Sequence, residues 1–140
     1  MHTILVVDPD SYLIKELQQR FPQKRILHAQ DAHIALELAH ELKLSLDVVL
    51  VRHGLLRRCP DGIMLVLLLK LRDNFRHTRF AMLFDTPHDS RDARAAFAAG
   101  ASRTFFYPRE AEFVSFLAMQ LIALLYRPTT PPWGPWFSTA

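Results

Sequence analysis

Charged side chains stand at the ends of three apolar segments of this sequence. Asp8 and Asp10 follow TILVV, Arg52 follows DVVLV, and Asp85 follows FAMLF. If these segments are parallel strands, their carboxyl ends meet at one edge of a sheet and the charged groups lie close together. Clustered carboxylates alone would suit a hard divalent cation. A guanidinium is always charged and binds carboxylates, so Arg52 predicts an internal ion pair at this edge and no bound metal.

Strand-like and helix-like segments alternate strictly along the chain. The predicted strands are TILVV (3–7), KRILHA (24–29), DVVLV (47–51), FAMLF (80–84) and RTFFY (103–107). The predicted helices cover 11–21, 31–43, 61–73, 89–99 and 109–126. The two central strands are continuous apolar runs, which is typical of strands covered on both faces. Five βα units with right-handed crossovers predict an α/β fold, a doubly wound parallel sheet of five strands.

Short polar residues and one glycine support the helix boundaries. Asp10 or Ser11 can cap the first helix, and Asp31 and Asp89 can cap the second and the fourth, by accepting bonds from free first-turn amides. Gly100 follows the fourth helix, where a left-handed residue is needed.

Composition places the chain among ordinary soluble domains. Its 140 residues carry a net charge of +3, with 17 basic residues among 14 acidic ones. Cys59 is the single cysteine, which excludes an intramolecular disulfide and offers no metal-site spacing. The residues before Asp8 lack the positive flank and the length that a signal peptide would need, and the apolar runs are too short to span a bilayer. We expect a cytoplasmic protein with no membrane partner, no cofactor and no metal.

The composition changes after Arg127. Residues 1–127 form the predicted domain, and residues 128–140, PTTPPWGPWFSTA, form a tail too rich in proline for a helix or a central strand. The tail is interpreted as a linker, or alternatively as a docking peptide anchored by Trp133, Trp136 and Phe137.

Four motifs occur in order at suitable spacing: VVD at the end of the first strand, PDG at the start of the third helix, AGAS at the end of the fourth helix, and an aromatic residue before Pro108. Over residues 2–126 the chain resembles the receiver domain of two-component response regulators, which are CheY-like. The resemblance implies a flavodoxin-like strand order of 2-1-3-4-5. It also implies a pocket in which an aspartate ending the third strand takes a phosphoryl group from a sensor kinase, with Mg²⁺ held by an acidic pair.

The first half of that pocket is altered in this sequence. Asp8 matches the first acid, but Pro9 occupies the second acidic position, and Asp10 is a displaced candidate that can also serve as a helix cap. The phosphoacceptor position falls on Arg52, which cannot take up the phosphoryl group. Two alternatives remain open: Asp8 as a solvated loop acid, and Arg52 turned outward to solvent or to a partner.

The second half of the pocket also departs from the family pattern. The resemblance implies a Thr or Ser after the fourth strand, but ungapped counting reaches Asp85, and only a one-residue slip reaches Thr86. The family's lysine before a proline is replaced by Tyr107, which precedes Pro108 and carries no positive charge. The sequence therefore predicts a degenerate, pseudo-receiver form that is not an enzyme and does not depend on phosphorylation.

The last helix carries two apolar faces. One face should pack on the sheet through Val114, Leu117, Ala118, Leu121, Leu124 and Leu125. The other would expose Phe116, Met119, Ile122, Ala123 and Tyr126. A second apolar face of this size usually marks an interface. We expect it to bind a protein partner, a second copy of the chain, or an output domain of a longer chain. In receivers the resemblance implies a dimer or output surface at this place. The third helix, IMLVLLLKLR, also has a wide apolar arc, and the alternative is that the tail folds back over one of these two faces.

Two other functions stay open from sequence. Phosphorylation or ion binding could use Asp47, Asp61 or Asp85 in place of Arg52. A nucleic-acid interface would depend on scattered arginines, namely Arg57, Arg58, Arg72, Arg76 and Arg79. No basic run supports that interface, so the sequence favours protein contact over nucleic acid.

Overall fold

Five strands and five helices alternate in a computed structural model of the chain. The structure describes residues 2–41, 46–53, 61–72, 75–84, 90–106 and 111–126. The strands are β1 (Thr3–Val7), β2 (Arg25–Ala29), β3 (Val48–Arg52), β4 (Arg79–Phe84) and β5 (Arg103–Phe106). The helices are α1 (Tyr12–Arg20), α2 (Ala32–Glu41), α3 (Gly62–Lys70), α4 (Ser90–Ala99) and α5 (Ala111–Tyr126).

The strands form one parallel sheet in the order β2-β1-β3-β4-β5. This order and the alternation of strands with helices confirm the predicted doubly wound fold. β1 lies inside the sheet beside the edge strand β2, and after β2 the chain crosses back past β1 to build the other edge at β5. Strand order therefore reverses between β1 and β3, and the carboxyl ends of these two strands flank the crevice where such sheets usually carry a site.

Each face of the sheet is covered by its own group of helices. Alternate strand residues point to opposite faces, so Val7, Val49 and Val51 pack with α2, α3 and α4. Ile4, Val48 and other residues of opposite parity pack with α1 and α5. The residues of β1 and β3 are buried throughout, as their continuous apolar runs predicted.

Several boundaries differ from the sequence prediction, and two of these differences have a clear structural cause. Strand β3 continues to Arg52, one residue beyond the predicted end, because Arg52 still pairs with Leu83 of the neighbouring β4. Helix α3 ends at Lys70 instead of residue 73. The chain turns there through a bond from the amide of Arg72 to the carbonyl of Leu69, and the turn brings Phe75 into the core with no exposed surface.

The predicted helix signals act as expected where the structure describes them. Asp10 Oδ1 accepts a bond of 2.7 Å from the amide of Tyr12, whereas Ser11 makes no side-chain cap bond. Asp31 Oδ1 accepts from the amide of Ile34 at 2.9 Å. Gly100 follows α4 with a φ of 120°, a conformation that favours glycine. Asp89 lies outside the described residues.

None of the described helices is both long enough and apolar enough to cross a bilayer.

Candidate functional site

The register of β1 and β3 brings Asp8 and Arg52 to the same level of the sheet. Val7 pairs with Val51 in the parallel ladder, so the next residue of each chain segment stands at the carboxyl edge. Side chains alternate along a strand, which turns Asp8 and Arg52 towards the face that carries α1 and α5. Residues separated by 44 positions in sequence therefore become neighbours.

The two side chains form a buried ion pair. Nη1 of Arg52 donates to both carboxylate oxygens of Asp8, and each distance is 3.3 Å. Asp8 has no exposed surface, and Arg52 is 2% exposed. The predicted ion pair is thus present in the structure, and its burial excludes a solvated Asp8 or an outward-turned Arg52. The pairing uses one nitrogen for both oxygens instead of the parallel two-nitrogen fork that guanidinium groups can also form.

Two backbone groups and one histidine side chain hold Asp8 in place. Its Oδ1 accepts a bond of 2.9 Å from the amide of Asp10, and its own amide donates to the carbonyl of Ala29 at 3.0 Å. The carbonyl of Asp8 lies 2.7 Å from Nε2 of His28. A carbonyl can only accept, so Nε2 of His28 must carry the hydrogen in this bond. The carboxylate is therefore fixed in position before any ligand arrives.

His28 was not among the predicted site residues. His28 is the next-to-last residue of β2. Because β2 runs beside β1, the ring of His28 reaches the start of the loop after β1. The sequence signal for His28 was a polar residue near the carboxyl end of a strand. Its hydrogen-bond partner could not be read from the sequence, because the partner depends on which strand lies beside β2.

The paired charges do not fit a magnesium site at Asp8. A divalent cation would need the carboxylate oxygens as ligands, and the Arg52 guanidinium already contacts both of them. A divalent cation bound to these oxygens would lie beside the Arg52 guanidinium, and the two positive charges would repel each other. Across the described parts of the chain, no group of three or more His, Cys, Asp or Glu side chains is arranged to hold a metal ion.

Solved structures with a closely similar fold are response regulators. A putative response regulator from Chloroflexus aurantiacus J-10-fl is 23% identical, with a TM-score of 0.70, and the match covers 90% of this chain and 98% of the other. The Mn(2+)-bound form of the response regulator Rcp1 is 13% identical, with a TM-score of 0.76 and coverages of 94% and 99%. A two-component response regulator from Clostridium difficile is 17% identical, with a TM-score of 0.74 and coverages of 93% and 100%.

The chain has the fold of a response-regulator receiver domain. No protein-family model matches its sequence, and no curated protein matches it. The similarity therefore lies in the fold, whereas the residues that fill the receiver fold differ.

Four of the predicted pocket residues cannot be placed. Asp85, Thr86, Tyr107 and Pro108 all lie outside the described residues. The part of the predicted pocket that the structure describes consists of Asp8, Asp10 and Arg52, together with the groups that hold them.

His53 follows Arg52 at the same edge of the receiver fold. Its ring meets the ring of Phe84 edge to face, with centroids 5.4 Å apart. Gly62 lies so close that a Cβ there would stand 2.9 Å from Nδ1 of His53. Nδ1 is buried and has no hydrogen-bond partner among the residues that the structure describes. The described part of the His53 ring therefore packs against Phe84 and the backbone at Gly62.

The alternative phosphoacceptors that can be placed are both engaged in structural bonds. Oδ2 of Asp47 accepts a bond of 2.8 Å from the amide of Thr3, at the amino edge of the sheet and therefore at the far end of β1 from Asp8. Oδ1 of Asp61 accepts from the amide of Met64 at 2.9 Å and caps α3. Asp85, the third alternative, lies outside the described residues.

Three of the arginines proposed for nucleic acid are described, and two of these, Arg72 and Arg79, are only partly exposed and contact other residues. Arg79 donates from Nη1 to the carbonyl of Leu124, and Nη2 of Arg72 lies 3.4 Å from Nδ1 of His40. Arg76 is exposed. Arg57 and Arg58 lie outside the described residues.

The second apolar face of α5 is exposed as the sequence predicted. Phe116, Met119 and Ile122 are 45%, 68% and 45% exposed, and Ala123 is exposed beside them. Tyr126 ends the helix, and its side chain is not among those the structure describes. The opposite face packs on the sheet, with Val114, Leu117 and Leu121 fully buried and Ala118, Leu124 and Leu125 packed beside them.

Proposed function

We propose that this protein is a receiver-like signalling module that works without phosphorylation and acts by binding protein. The observation that carries the proposal is the buried contact between Arg52 and Asp8, because it places a permanent cation at the end of the third strand. The family resemblance implies that an acceptor carboxylate should stand there.

The ion pair leaves two requirements of phosphoryl transfer unmet. A guanidinium does not take up the phosphoryl group, and the carboxylate of Asp8 is neutralised by Arg52 instead of by a metal. Transfer needs a cation to offset the charge on the phosphoryl oxygens as well as an acceptor. The resemblance also implies a lysine where the sequence has Tyr107. No catalytic step is proposed for this pocket.

The surface left for signalling is the exposed face of α5. Phe116 packs edge to face on Phe105, with centroids 6.2 Å apart, and this contact connects the face to β5. Met119 and Ile122 continue it along the helix. Apolar side chains of this size cost free energy in water, and large apolar patches on a domain surface commonly bind protein. We assign this face to a protein partner, which can be another domain of a longer chain.

The test of phosphorylation independence is intact-mass measurement after incubation with acetyl phosphate and Mg²⁺. We expect no added phosphoryl mass on the parent chain, while a phosphorylatable receiver treated in parallel gains it. The Arg52→Asp variant should also stay unmodified, because the remaining pocket positions are altered too. Stoichiometric modification of the parent chain would refute the proposal and would direct attention to Asp85.

The partner surface is tested by photo-crosslinking in cells that make the protein. A benzophenone amino acid in place of Met119 should capture a discrete protein, whereas the same group in place of Gln23, which is exposed in the loop before β2, should not. Equal capture at both positions would contradict the assignment of the α5 face.

A further inference from the structure

A second row of exposed apolar side chains lies on α3. Leu67, Leu68 and Leu71 are 47%, 38% and 75% exposed, and Met64 precedes them in the same row at 43%. Their spacing of three and four residues places them on one side of the helix. Leu65 and other buried residues of α3 lie on the opposite side, against the sheet. The row therefore points directly away from the core.

An all-apolar helix of this kind normally has protein on both sides. A helix on a domain surface usually shows charged residues on its outer face, whereas α3 shows leucine there. The polar residues at its end are turned aside: Nζ of Lys70 donates to the carbonyl of Thr78, and Arg72 approaches His40 of α2. The outer face of α3 is thus suited to burial against another surface.

The helices on either side of α3 carry opposite charges. Helix α2 exposes Glu37 and Glu41, and helix α4 exposes Arg91 and Arg94 beside one partly buried acid, Asp92. Both helices contact α3 and cover the same face of the sheet. Across this face the surface therefore changes from acidic, through apolar, to basic.

We propose that this face pairs with the same face of a second copy of the chain, about a two-fold axis parallel to α3. Rotation about that axis lays α3 against α3 of the other copy and places each α2 opposite the other copy's α4. The acidic helix then meets the basic helix on both sides of the apolar centre. A two-fold axis across the helices would instead place α2 on α2 and α4 on α4, which sets like charges together. The charge pattern selects the first arrangement.

The heights of the charged residues agree with this arrangement. The helices of a parallel βα sheet run in the same direction, and an axis parallel to them keeps each residue at its own height. Glu37 is the sixth of ten residues in α2, and Arg94 is the fifth of ten in α4. Arg91 lies one turn earlier, so Arg94 is the arginine of the other copy that lies nearest in height to Glu37.

The tail is a weaker candidate for covering α3. Residues 128–140 contain no charged side chain. They could cover the apolar row of α3, but they could not pair with the acidic border, Glu37 and Glu41 of α2, or with the basic border, Arg91 and Arg94 of α4. A second copy satisfies the apolar row and both borders at once. This proposal concerns a surface separate from α5 and does not depend on the absence of phosphorylation.

The test uses two charge-reversed variants of the full chain and sedimentation velocity at low ionic strength. One variant carries Glu37→Arg with Glu41→Arg, and the other carries Arg91→Glu with Arg94→Glu. Each variant alone presents like charges on both borders, so its dimer dissociation constant should rise at least about tenfold above that of the parent. An equimolar mixture should recover the parent's affinity, because each basic border then meets an acidic one.

Three controls keep the outcome decisive. Leu68→Glu with Leu71→Glu should give a monomer whose unfolding temperature stays within a few degrees of the parent, because both side chains are exposed. Met119→Glu with Ile122→Glu, on α5, should leave the dimer intact. A chain ending at Arg127 should dimerise like the parent, and loss of dimer in it would assign the contact to the tail.

A parent chain that is monomeric at about 100 μM would overturn the proposal. Charge-reversed variants that dimerise as well as the parent would overturn it too, and a mixture that fails to recover affinity would exclude the axis. None of these results bears on phosphorylation, which the mass measurement tests separately.

Discussion

Nη1 of Arg52 lies 3.3 Å from both carboxylate oxygens of Asp8, and both side chains are buried at the carboxyl edge of the sheet. The pair connects the ends of β1 and β3, the two strands at which the strand order reverses. In open parallel α/β sheets ligands usually bind at this point. Here a permanent cation fills it, and the consequences can be measured.

Arg52→Met should destabilise the fold. Methionine keeps much of the side-chain volume but leaves the carboxylate of Asp8 buried without its cation, a loss of about 3–5 kcal/mol in the free energy of unfolding. Urea denaturation of the parent and the variant measures the difference. The double variant Asp8→Asn with Arg52→Met should recover part of the loss, since no buried charge then remains. An Arg52→Met chain as stable as the parent would contradict the internal ion pair.

Asp61→Ala should cost about 1 kcal/mol, because Asp61 accepts the bond from the amide of Met64 that caps α3. Asp61→Asn is the matched control. Asparagine caps helices about as well, so we expect this variant to unfold at nearly the parent's urea midpoint. Equal destabilisation by both substitutions would mean that the charge of Asp61 matters and not its cap, and would reopen its role as an acceptor.

Gly100→Ala should cost about 1–3 kcal/mol. Its φ of 120° strains any residue with a Cβ, and that atom would stand 2.8 Å from Cγ of Lys70. Calorimetry on Gly100→Ala, with and without Lys70→Ala, separates the two effects. In the Lys70→Ala background, Gly100→Ala should still lower the free energy of unfolding through backbone strain. The steric contribution should disappear there, because the Lys70 side chain has been removed. A neutral Gly100→Ala would show that the backbone there is not strained.

Lys70 should make stability depend on pH. Burial lowers its pKa below the ordinary value of 10.5, although Nζ donates to the carbonyl of Thr78 and lies 5.3 Å from the ring centroid of Phe80. The folded chain therefore releases this proton at lower pH than the unfolded chain. Between the two pKa values the unfolded chain holds more protons, so stability rises with pH in that window.

Lys70→Met provides the comparison, because methionine has no charge to lose. The free energy of unfolding of the parent, relative to Lys70→Met, should increase as pH rises towards 10.5. Denaturant titrations at several pH values measure this difference. A constant or falling difference would mean that the lysine is not desolvated in the folded state.

The amino-acid sequence by itself determined the local structure and the identity of the groups at the strand ends. Short apolar runs separated by helical periodicity predicted all ten elements, and Asp10, Asp31 and Gly100 marked boundaries that the structure has. These features depend on neighbouring residues, so local patterns suffice. The apolar outer face of α5 follows from periodicity in the same way.

The tertiary structure alone decided which groups meet. Arg52 reaches Asp8 because the register of β1 and β3 brings residues that are 44 positions apart in sequence to the same level of the sheet. Pairing of Arg52 with Leu83 of β4 keeps Arg52 within the sheet, where its guanidinium is buried. His28 reaches the carbonyl of Asp8 because β2 lies beside β1. The charge pattern across α2, α3 and α4 likewise needs their order on the sheet. Such contacts depend on strand order and register, which distant parts of the chain set together, so no local pattern contains them.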